Sequence, residues 1–325
     1  MTCNGIHDFH RHNASYGGAV GVLPLGARCA LPVELPHVDL CEVLRESAPE
    51  LAEQAEDPEK LLLPPPLWPD RLTRLYRRLA RSYPTLVERG MSNGMMRMLP
   101  RKKIAKFRGR VLVAGGFAVP KSSVEDRFIG PLGVNELIDP QRMPRPRFAY
   151  IPALRCCCVS GTRPLLVSKR DARHYYHCLR LGRKWRPWLA LPPPHGRDEE
   201  ADELPVLTTA RMGFGPSAGF AQAITDMATG DLDGSRRLVF GQAAPPVLPS
   251  WGSIMDDMWV LEEAPVGSEL PEGPAWLDRA TARWEELGVR AHPDKIVDAA
   301  VDQEIQGYMV DSEKRWLGVA HSKRR

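Results

Sequence analysis

The stretch Trp251-Gly-Ser-Ile-Met-Asp-Asp-Met-Trp-Val-Leu261 decides the fold of this chain. Apolar and β-prone residues lie on both sides of the adjacent acids Asp256 and Asp257, which predicts two short strands joined by a tight turn at the acidic pair. Adjacent carboxylates repel each other, and between buried strands a hard divalent cation such as Mg²⁺ would compensate that repulsion. A solvated turn is the alternative, and the commoner case for such a pair alone, because Asp is a frequent turn residue.

The bulk composition is that of a soluble globular protein. The 325 residues are 43% hydrophobic and 26% charged, enough for one large or two ordinary domains. No apolar run approaches the ~18 residues of a membrane helix, and the N-terminus lacks the apolar core of a signal peptide. We therefore expect an intracellular protein, cytoplasmic or nuclear, with no membrane partner. The seven cysteines include three in a row and no CxxC pair, which argues against a disulfide framework and a structural zinc site.

Positive charge is concentrated in one block. Between Trp68 and Arg110 there are thirteen Lys or Arg residues against two acids, a local charge of +11 in a chain whose net charge is +4. This block predicts a polyanion-binding surface, with a solvated helix face as the open alternative. A helix is predicted from Trp68 onward, because apolar residues recur at helical spacing: Leu72, Leu75, Tyr76, Leu79 and Tyr83.

The residues before this block are poorly patterned. Residues 1–67 are expected to be mobile or to pack loosely, with a short helix in the acidic stretch 39–60 and a Leu- and Pro-rich linker at 61–66. His7, His10 and His12 cluster without a Cys or acid to complete a metal site, so they are interpreted as part of a loop.

A second hairpin is predicted in residues 111–137. Two strands flank a turn at Ser122–Asp126, and Lys121 and Arg127 bracket that turn. Two cations at one hairpin tip suit the binding of a triphosphate, although two solvated tip residues would show the same pattern.

Further candidate functional residues lie at the ends of predicted strands and helices. An apolar strand ends at Asp171 and leads into aromatic residues that include Tyr176, and a glycine-rich turn at Gly213 opens a helix. Residues 275–287 predict an amphipathic helix with Trp276, Ala280, Trp284 and Leu287 inward. Gly288 is its predicted C′ residue, and a hairpin-like strand follows at 304–311.

Taken in order, these features resemble the palm of a reverse transcriptase of the kind carried by retroelements such as retrotransposons. Asp171, followed five positions later by Tyr176, is similar to the family's first motif, an aspartate and an aromatic steric gate. Met212-Gly-Phe-Gly-Pro-Ser-Ala218 resembles the second motif, and Ile254-Met-Asp-Asp257 resembles the Tyr-x-Asp-Asp box. Further segments are similar to the fingers motifs, the next motif's lysine and the primer grip: Phe117–Lys121, Arg127–Asn135, Lys295 and Gly307.

The resemblance covers roughly residues 70–320 and implies an RNA-directed DNA polymerase. Asp171, Asp256 and Asp257 would then hold two Mg²⁺ or Mn²⁺ ions that clamp the attacking and leaving oxygens of an in-line displacement. The implied partners are dNTPs and a primer on an RNA or DNA template. The implied nucleotide-binding residues are Lys121, Arg127, Tyr176, Gly213 and Lys295.

The predicted fold is α+β. An antiparallel palm sheet with helices on one face spans 166–320, a mixed α/β fingers-like basic region spans 68–165, and the poorly patterned segment 1–67 precedes them. Almost nothing follows Gly307 to form a thumb or an RNase H domain. The expectation is therefore a truncated element, or one whose thumb comes from a partner or a missing segment.

The sequence also departs from the family pattern. Ile254 replaces the tyrosine of the box, Met212 replaces a glutamine, and Gly130-Pro-Leu stands where an acid and an arginine are usual. Three interpretations stay open: an active polymerase, a catalytically silent retroelement-derived remnant that binds nucleic acid, and an unrelated two-metal phosphotransferase or structural protein. Distant placement of Asp171 and Asp256 would favour the third.

Overall fold

The computed structural model describes residues 22–32, 38–73, 75, 77–130, 132–157, 159, 162–195, 200–266, 269–314 and 316–319. Its α-helices, in chain order, are α1 (Leu40–Val43), α2 (Pro49–Glu56), α3 (Tyr83–Ser92), α4 (Tyr175–Cys178), α5 (Ser217–Ala228) and α6 (Glu272–Glu286). Its strands are β1 (Val38–Asp39), β2 (Met96–Pro100), β3 (Lys106–Phe107), β4 (Arg110–Val111), β5 (Phe117–Pro120), β6 (Asp126–Ile129), β7 (Leu165–Asp171), β8 (Leu179–Arg180), β9 (Glu203–Leu207), β10 (Ser250–Ile254), β11 (Asp257–Glu263), β12 (Val297–Ala300), β13 (Glu304–Ile305), β14 (Tyr308–Asp311) and β15 (Trp316–Val319). No helix of the described residues has the length and apolar character that crossing a membrane requires.

The chain divides into two compact units, and each unit draws on three separate segments. The first comprises residues up to Glu34, Leu63–Ile138 and Arg183–Phe214, and the second comprises Leu35–Leu62, Asp139–Gly182 and the residues from Gly215 onward. The predicted ranges 68–165 and 166–320 are contiguous, whereas residues 139–165 belong to the second unit and residues 183–214 to the first. The functional names fingers and palm stay predictions.

A four-stranded antiparallel sheet forms the centre of the second unit. Its strand order is β10-β11-β7-β12, and the predicted hairpin and the strand ending at Asp171 are its middle. Helix α6 covers one face, where Gly273 packs close to the Ser168 and Val260 side chains. On the other face, Trp259 and Leu261 pack in an apolar core. The expected mixed α and β architecture, with helices packed on one sheet face, is confirmed.

Helix α6 ends as the sequence predicts. Gly288 adopts a φ of 90°, its N–H donates to the Glu285 carbonyl, and the Val289 N–H donates to the Trp284 carbonyl. These two bonds are those of a Schellman motif, which favours glycine. The predicted inward face is partly different, because Leu277 is buried with Ala280 and Trp284, whereas Trp276 and Leu287 are only half-buried.

The predicted loose packing before residue 67 is wrong for residues 38–62. The acidic stretch forms two short helices, α1 and α2, where one was predicted, and Leu40, Leu44, Ala55 and Leu61 are fully buried. Strand β1 pairs in parallel with β8, and the Gly182 N–H donates to the Ala55 carbonyl at 2.9 Å. Apolar spacing in two very short helices is too weak a signal to predict this packing. His7, His10 and His12 lie outside the described residues.

The helix predicted from Trp68 is also wrong. Arg78 is extended, because its N–H donates to the Gly116 carbonyl at 2.8 Å and its carbonyl accepts the Leu25 N–H at 2.7 Å. The helix instead begins at Tyr83, with Pro84 in its first turn, where proline is favoured. Strand-like pairing with distant segments therefore overrides the local helical spacing. Tyr76 lies outside the described residues.

The predicted hairpin at 111–137 forms, but its strands are shorter than expected. Strands β5 and β6 pair with Val119 opposite Arg127, and β6 ends at Ile129. A 3₁₀-helix, Gly133–Leu137, takes the place of the rest of the second predicted strand.

Candidate active site

The three predicted acids meet at one end of the central sheet. Asp171 is the last residue of β7 and Asp257 is the first residue of β11, and the two lie directly opposite each other in the antiparallel pair. The carbonyl of Asp256 accepts the Ala172 N–H at 2.7 Å, so the pairing continues one step past the strand ends. The hairpin and the aspartate-ending strand, 85 positions apart in sequence, thus bring three carboxylates to one place.

The three carboxylates lie close enough to repel one another. The pKa of Asp257 is raised from 3.8 to about 7, first by burial and then by the negative charges of Asp256 and Asp171. The lysines Lys169 and Lys295 oppose this shift. Near neutral pH, the cluster therefore holds a proton on Asp257 for part of the time unless another cation joins it.

Lys295 contacts the cluster directly. It ends the 3₁₀-helix Pro293–Lys295, and its Nζ lies 2.9 Å from Oδ2 of Asp171. The chain is brought there because the His292 N–H donates to the Asp171 carbonyl at 2.7 Å. The structure thus brings this predicted nucleotide-binding lysine together with a predicted metal-binding aspartate, 124 positions away in the sequence.

The hairpin turn is held by buried polar side chains of α5. Met255 has a φ of 52°, in the left-handed region that is unfavourable for a residue with a side chain. Gln222 Oε1 accepts its N–H at 2.8 Å, and the Thr225 hydroxyl donates to its carbonyl at 2.5 Å. Gln222 also donates to Ser253 Oγ at 2.9 Å. Helix α5 therefore fixes both ends of the residue that precedes the acidic pair.

The sequence prediction missed Gln222 and Thr225. Both side chains are fully buried, and they are spaced three positions apart on a mostly apolar helix. A glutamine and a threonine on the inward face of a helix are a usable signal, because buried polar groups need hydrogen-bond partners.

Tyr176 lies at the same turn. Its hydroxyl contacts the Met255 sulfur, and its neighbour Tyr175 is buried with its hydroxyl 2.7 Å from Thr225 Oγ1. Burial raises the pKa of Tyr175 well above its ordinary value. The predicted gate residue therefore packs against the acidic hairpin, whereas the role of Tyr175 in supporting Thr225 was not predicted.

The other predicted nucleotide-binding residues belong to the first unit and are described within it. Lys121 forms an ion pair with Glu125 at 3.0 Å, and Arg127 is exposed on β6. Gly213 has a φ of 100°, and its carbonyl accepts a hydrogen bond from Asn135 Nδ2 at 2.7 Å. The positive φ explains why glycine is needed at this turn.

The acids fit a divalent cation by their chemistry. Carboxylate oxygens are the ligands that Mg²⁺ and Mn²⁺ prefer, and the crowded negative charge that raises the Asp257 pKa is the charge a cation would neutralise. Within the described ranges, no group of three or more His, Cys, Asp or Glu residues is arranged to enclose a metal ion. The positive charge beside the Asp171 carboxylate comes from the Lys295 ammonium.

Comparison with known proteins gives a structural likeness only. No protein-family model matches the sequence, and no curated protein matches it either. A foamy viral protease–reverse transcriptase (the dRH form), solved with double-stranded DNA, is 13% identical with a TM-score of 0.53, over 90% of this chain and 49% of that one. A second foamy viral protease–reverse transcriptase, also with double-stranded DNA, is 13% identical with a TM-score of 0.51, over 90% and 58%.

The chain therefore has a reverse-transcriptase-like fold and spans about half the length of the solved reverse transcriptases that it matches. This likeness confirms the resemblance inferred from the sequence at the level of the fold.

Proposed function

We propose that the chain carries out template-directed nucleotidyl transfer as an RNA-directed DNA polymerase. The observation that carries the proposal is the direct pairing of Asp171 with Asp257, with Asp256 beside them, at one end of the central sheet. A fold like that of reverse transcriptases supports it. The proposed partners are a primer on an RNA or DNA template, and dNTPs.

The proposed reaction is an in-line displacement at the phosphorus of the incoming nucleotide. Asp171, Asp256 and Asp257 would hold two Mg²⁺ or Mn²⁺ ions, which supply charge neutralisation and Lewis acidity at the reacting oxygens. Lys295, whose Nζ lies 2.9 Å from Asp171 Oδ2, would donate a proton or a hydrogen bond to the departing pyrophosphate.

Other side chains select and orient the nucleotide in this proposal. Tyr176, beside the Met255 turn, excludes a 2′-hydroxyl and so favours dNTPs. In the first unit, Lys121 and Arg127 carry positive charge of the kind that would neutralise a triphosphate, and the positive φ of Gly213 is of the kind that would let backbone approach a nucleotide. Gln222 and Thr225 are positioning residues, since they hold Met255 and hence the acidic pair.

A second candidate is a catalytically silent protein of retroelement origin that binds nucleic acid. The observation that favours it is the Lys295–Asp171 ion pair, which neutralises one predicted metal ligand. In this case the basic surface would bind primer–template, and the three acids would carry out no chemistry.

Primer extension distinguishes the two candidates. The assay uses the full chain, a primer on an RNA template, dNTPs, and Mg²⁺ or Mn²⁺, and compares the wild type with Asp256→Asn plus Asp257→Asn. Extension by the wild type alone supports the polymerase. Salt-sensitive primer–template binding by both proteins, without extension by either, supports the silent protein.

A further inference from the structure

A large cavity in the first unit is not used by the proposed active site. It has a volume of about 1110 Å³ and is lined by residues 70–73, 75, 77, 107, 108, 110–113 and 133. Pockets for small molecules typically measure about 300–1,000 Å³. The cavity is therefore large enough for a ligand longer than one small molecule.

The rim of this cavity is strongly basic. Four arginines and one aspartate line it, a net charge of +3: Arg71, Arg77, Arg108, Arg110 and Asp70. The single acid is already paired, because Asp70 lies 2.8 Å from Arg108. Arg71 and Arg110 are exposed, and among the described residues no carboxylate forms an ion pair with either. The rim thus offers exposed guanidinium groups, which suit phosphates.

Part of the cavity wall is apolar. Leu72, Leu75 and Leu112 converge on Gly133, where an added Cβ would come within 3.4–3.8 Å of their methyl groups. Phe107 is buried and carries the Arg108 guanidinium over its ring at 5.8 Å. An apolar wall beside a cationic rim fits a ligand with alternating flat bases and phosphates.

The hairpin between β3 and β4 presents the arginine side of the cavity. Arg108 and Gly109 both have positive φ, at 48° and 81°, which is the geometry of a tight two-residue turn. Because Phe107 and Arg110 are paired residues flanking that turn, the aromatic wall and a rim arginine are fixed to one short element.

We propose that this arginine-rimmed cavity binds a segment of single-stranded nucleic acid, with phosphates on Arg71 and Arg110 and bases against the apolar wall. The inference rests on the proposed function, because an unpaired template is the ligand that a template-directed polymerase must hold. A free nucleotide shares this chemistry. The size of the cavity favours the strand.

Fluorescence anisotropy with a short labelled single-stranded RNA tests the proposal on the full chain without divalent cations. The Arg71→Gln plus Arg110→Gln variant is expected to bind the RNA at least about tenfold more weakly. Its salt dependence should fall by about 1.4, since each phosphate contact to a single strand contributes about 0.7. The control, Arg81→Gln plus Lys102→Gln, removes the same charge from exposed positions of the basic block outside the cavity and is expected to lose less than about threefold.

Two further probes separate the ligands. A strand of the same length and charge without bases is expected to bind the wild type more weakly than the RNA, and ATP is expected to compete poorly. Equal binding of the abasic strand, equal competition by ATP, or equal losses in the two double variants would overturn the proposal. Thermal unfolding excludes misfolding, and Arg71→Lys plus Arg110→Lys is expected to restore part of the binding.

The RNA-binding test of the cavity and the primer-extension test of the polymerase can fail separately. If the chain does not extend primers but still binds RNA in a manner that depends on Arg71 and Arg110, the polymerase proposal fails and the cavity proposal stands. If extension occurs and the double variant binds RNA normally, the reverse holds.

Discussion

Two hairpins with charged tips differ in whether the contacts that hold the tip are buried or exposed. The acidic hairpin, β10–β11, ends in a turn whose Met255 backbone is bonded by Gln222 and Thr225, about 30 positions earlier in the chain. The tip of the basic hairpin, β5–β6, is held by exposed contacts: the Ser122 hydroxyl accepts the Glu125 N–H at 3.0 Å, Lys121 pairs with Glu125, and Arg28 donates to the Ser123 carbonyl at 2.9 Å. The same sequence pattern, charged residues at a turn between two strands, thus occurs in one hairpin with buried supporting contacts and in another with exposed ones.

The comparison shows which kind of charged turn is a candidate functional site. In the acidic hairpin, burial and two neighbouring carboxylates raise the pKa of Asp257 to about 7. In the basic hairpin, Lys121 and Glu125 are both more than one-third exposed, so water screens their ion pair. Perturbed groups in a crowded, partly buried cluster are candidates for a functional site, whereas an exposed pair is not by itself.

The largest expected effect separates the two hairpins in catalysis. Asp171→Asn, opposite the acidic hairpin, is expected to slow single-turnover primer extension by at least about 10³-fold, since several kcal/mol of charge stabilisation are lost. Arg127→Ala in the basic hairpin is expected to cost about 10- to 100-fold, the loss of one charge-assisted hydrogen bond. Similar losses in both variants would remove the distinction between the hairpins.

The second effect is a pH dependence of stability in the acidic hairpin. Without divalent cations, unfolded Asp257 ionises near pH 3.8 while folded Asp257 keeps its proton until about pH 7. The wild type should therefore lose stability as pH rises through this window, and Asp257→Asn should not lose this contribution. Above pH 7 we expect the variant to be more stable by roughly 1–4 kcal/mol, at about 1.4 kcal/mol per pKa unit.

Denaturant unfolding at several pH values measures this difference. The gain of Asp257→Asn over the wild type should shrink as pH falls from about 7 and should disappear below about pH 3.8, where both states of the wild type bind the proton. A gain that is the same at low and high pH would show that the carboxyl is not perturbed.

The third effect tests how the acidic turn is held. Thr225→Val keeps the side-chain volume but removes the hydroxyl that donates to the Met255 carbonyl, so we expect about 1–3 kcal/mol less stability and slower extension. Thr229→Val is the matched control, because its buried hydroxyl donates to the Thr225 carbonyl within the same helix. Equal slowing of extension by both variants would contradict a positioning role for Thr225.

The smallest effect is expected at the basic tip. Lys121→Ala removes the exposed ion pair with Glu125 and should change the free energy of unfolding by less than about 1 kcal/mol. Urea unfolding measures it. A loss above about 1.5 kcal/mol would contradict the expectation that water screens this exposed ion pair.

The features predicted correctly from the sequence are those that neighbouring residues decide. The hairpin at the acidic pair, the strand end at Asp171 and the cap at Gly288 each depend on a few adjacent residues. The turn itself is Met255–Asp256, one position earlier than predicted, because Asp257 already pairs as the first residue of β11. The helix predicted from Trp68 fails because the Arg78 backbone pairs with Leu25 and Gly116, which no local spacing reveals. The support of Met255 by Gln222 and Thr225 was missed for the same reason, since it depends on tertiary contacts.

The ion pair between Lys295 and Asp171 at the candidate active site also could not be predicted from the sequence. Lys295 and Asp171 were both named from the sequence, but their contact at 2.9 Å depends on how residues 291–295 return to the end of β7. Spacing along the chain does not predict whether the ammonium of Lys295 takes the place of a metal ion at Asp171 or lies beside one.

The central claim is that Asp171, Asp256 and Asp257 form a divalent-cation site. Isothermal titration of the full chain with Mn²⁺, without nucleic acid, tests it most directly. We predict that the wild type binds Mn²⁺ and that Asp171→Asn plus Asp257→Asn binds it at least about tenfold more weakly, because two of the three carboxylate ligands are lost. Equal Mn²⁺ binding by the two proteins would contradict the claim.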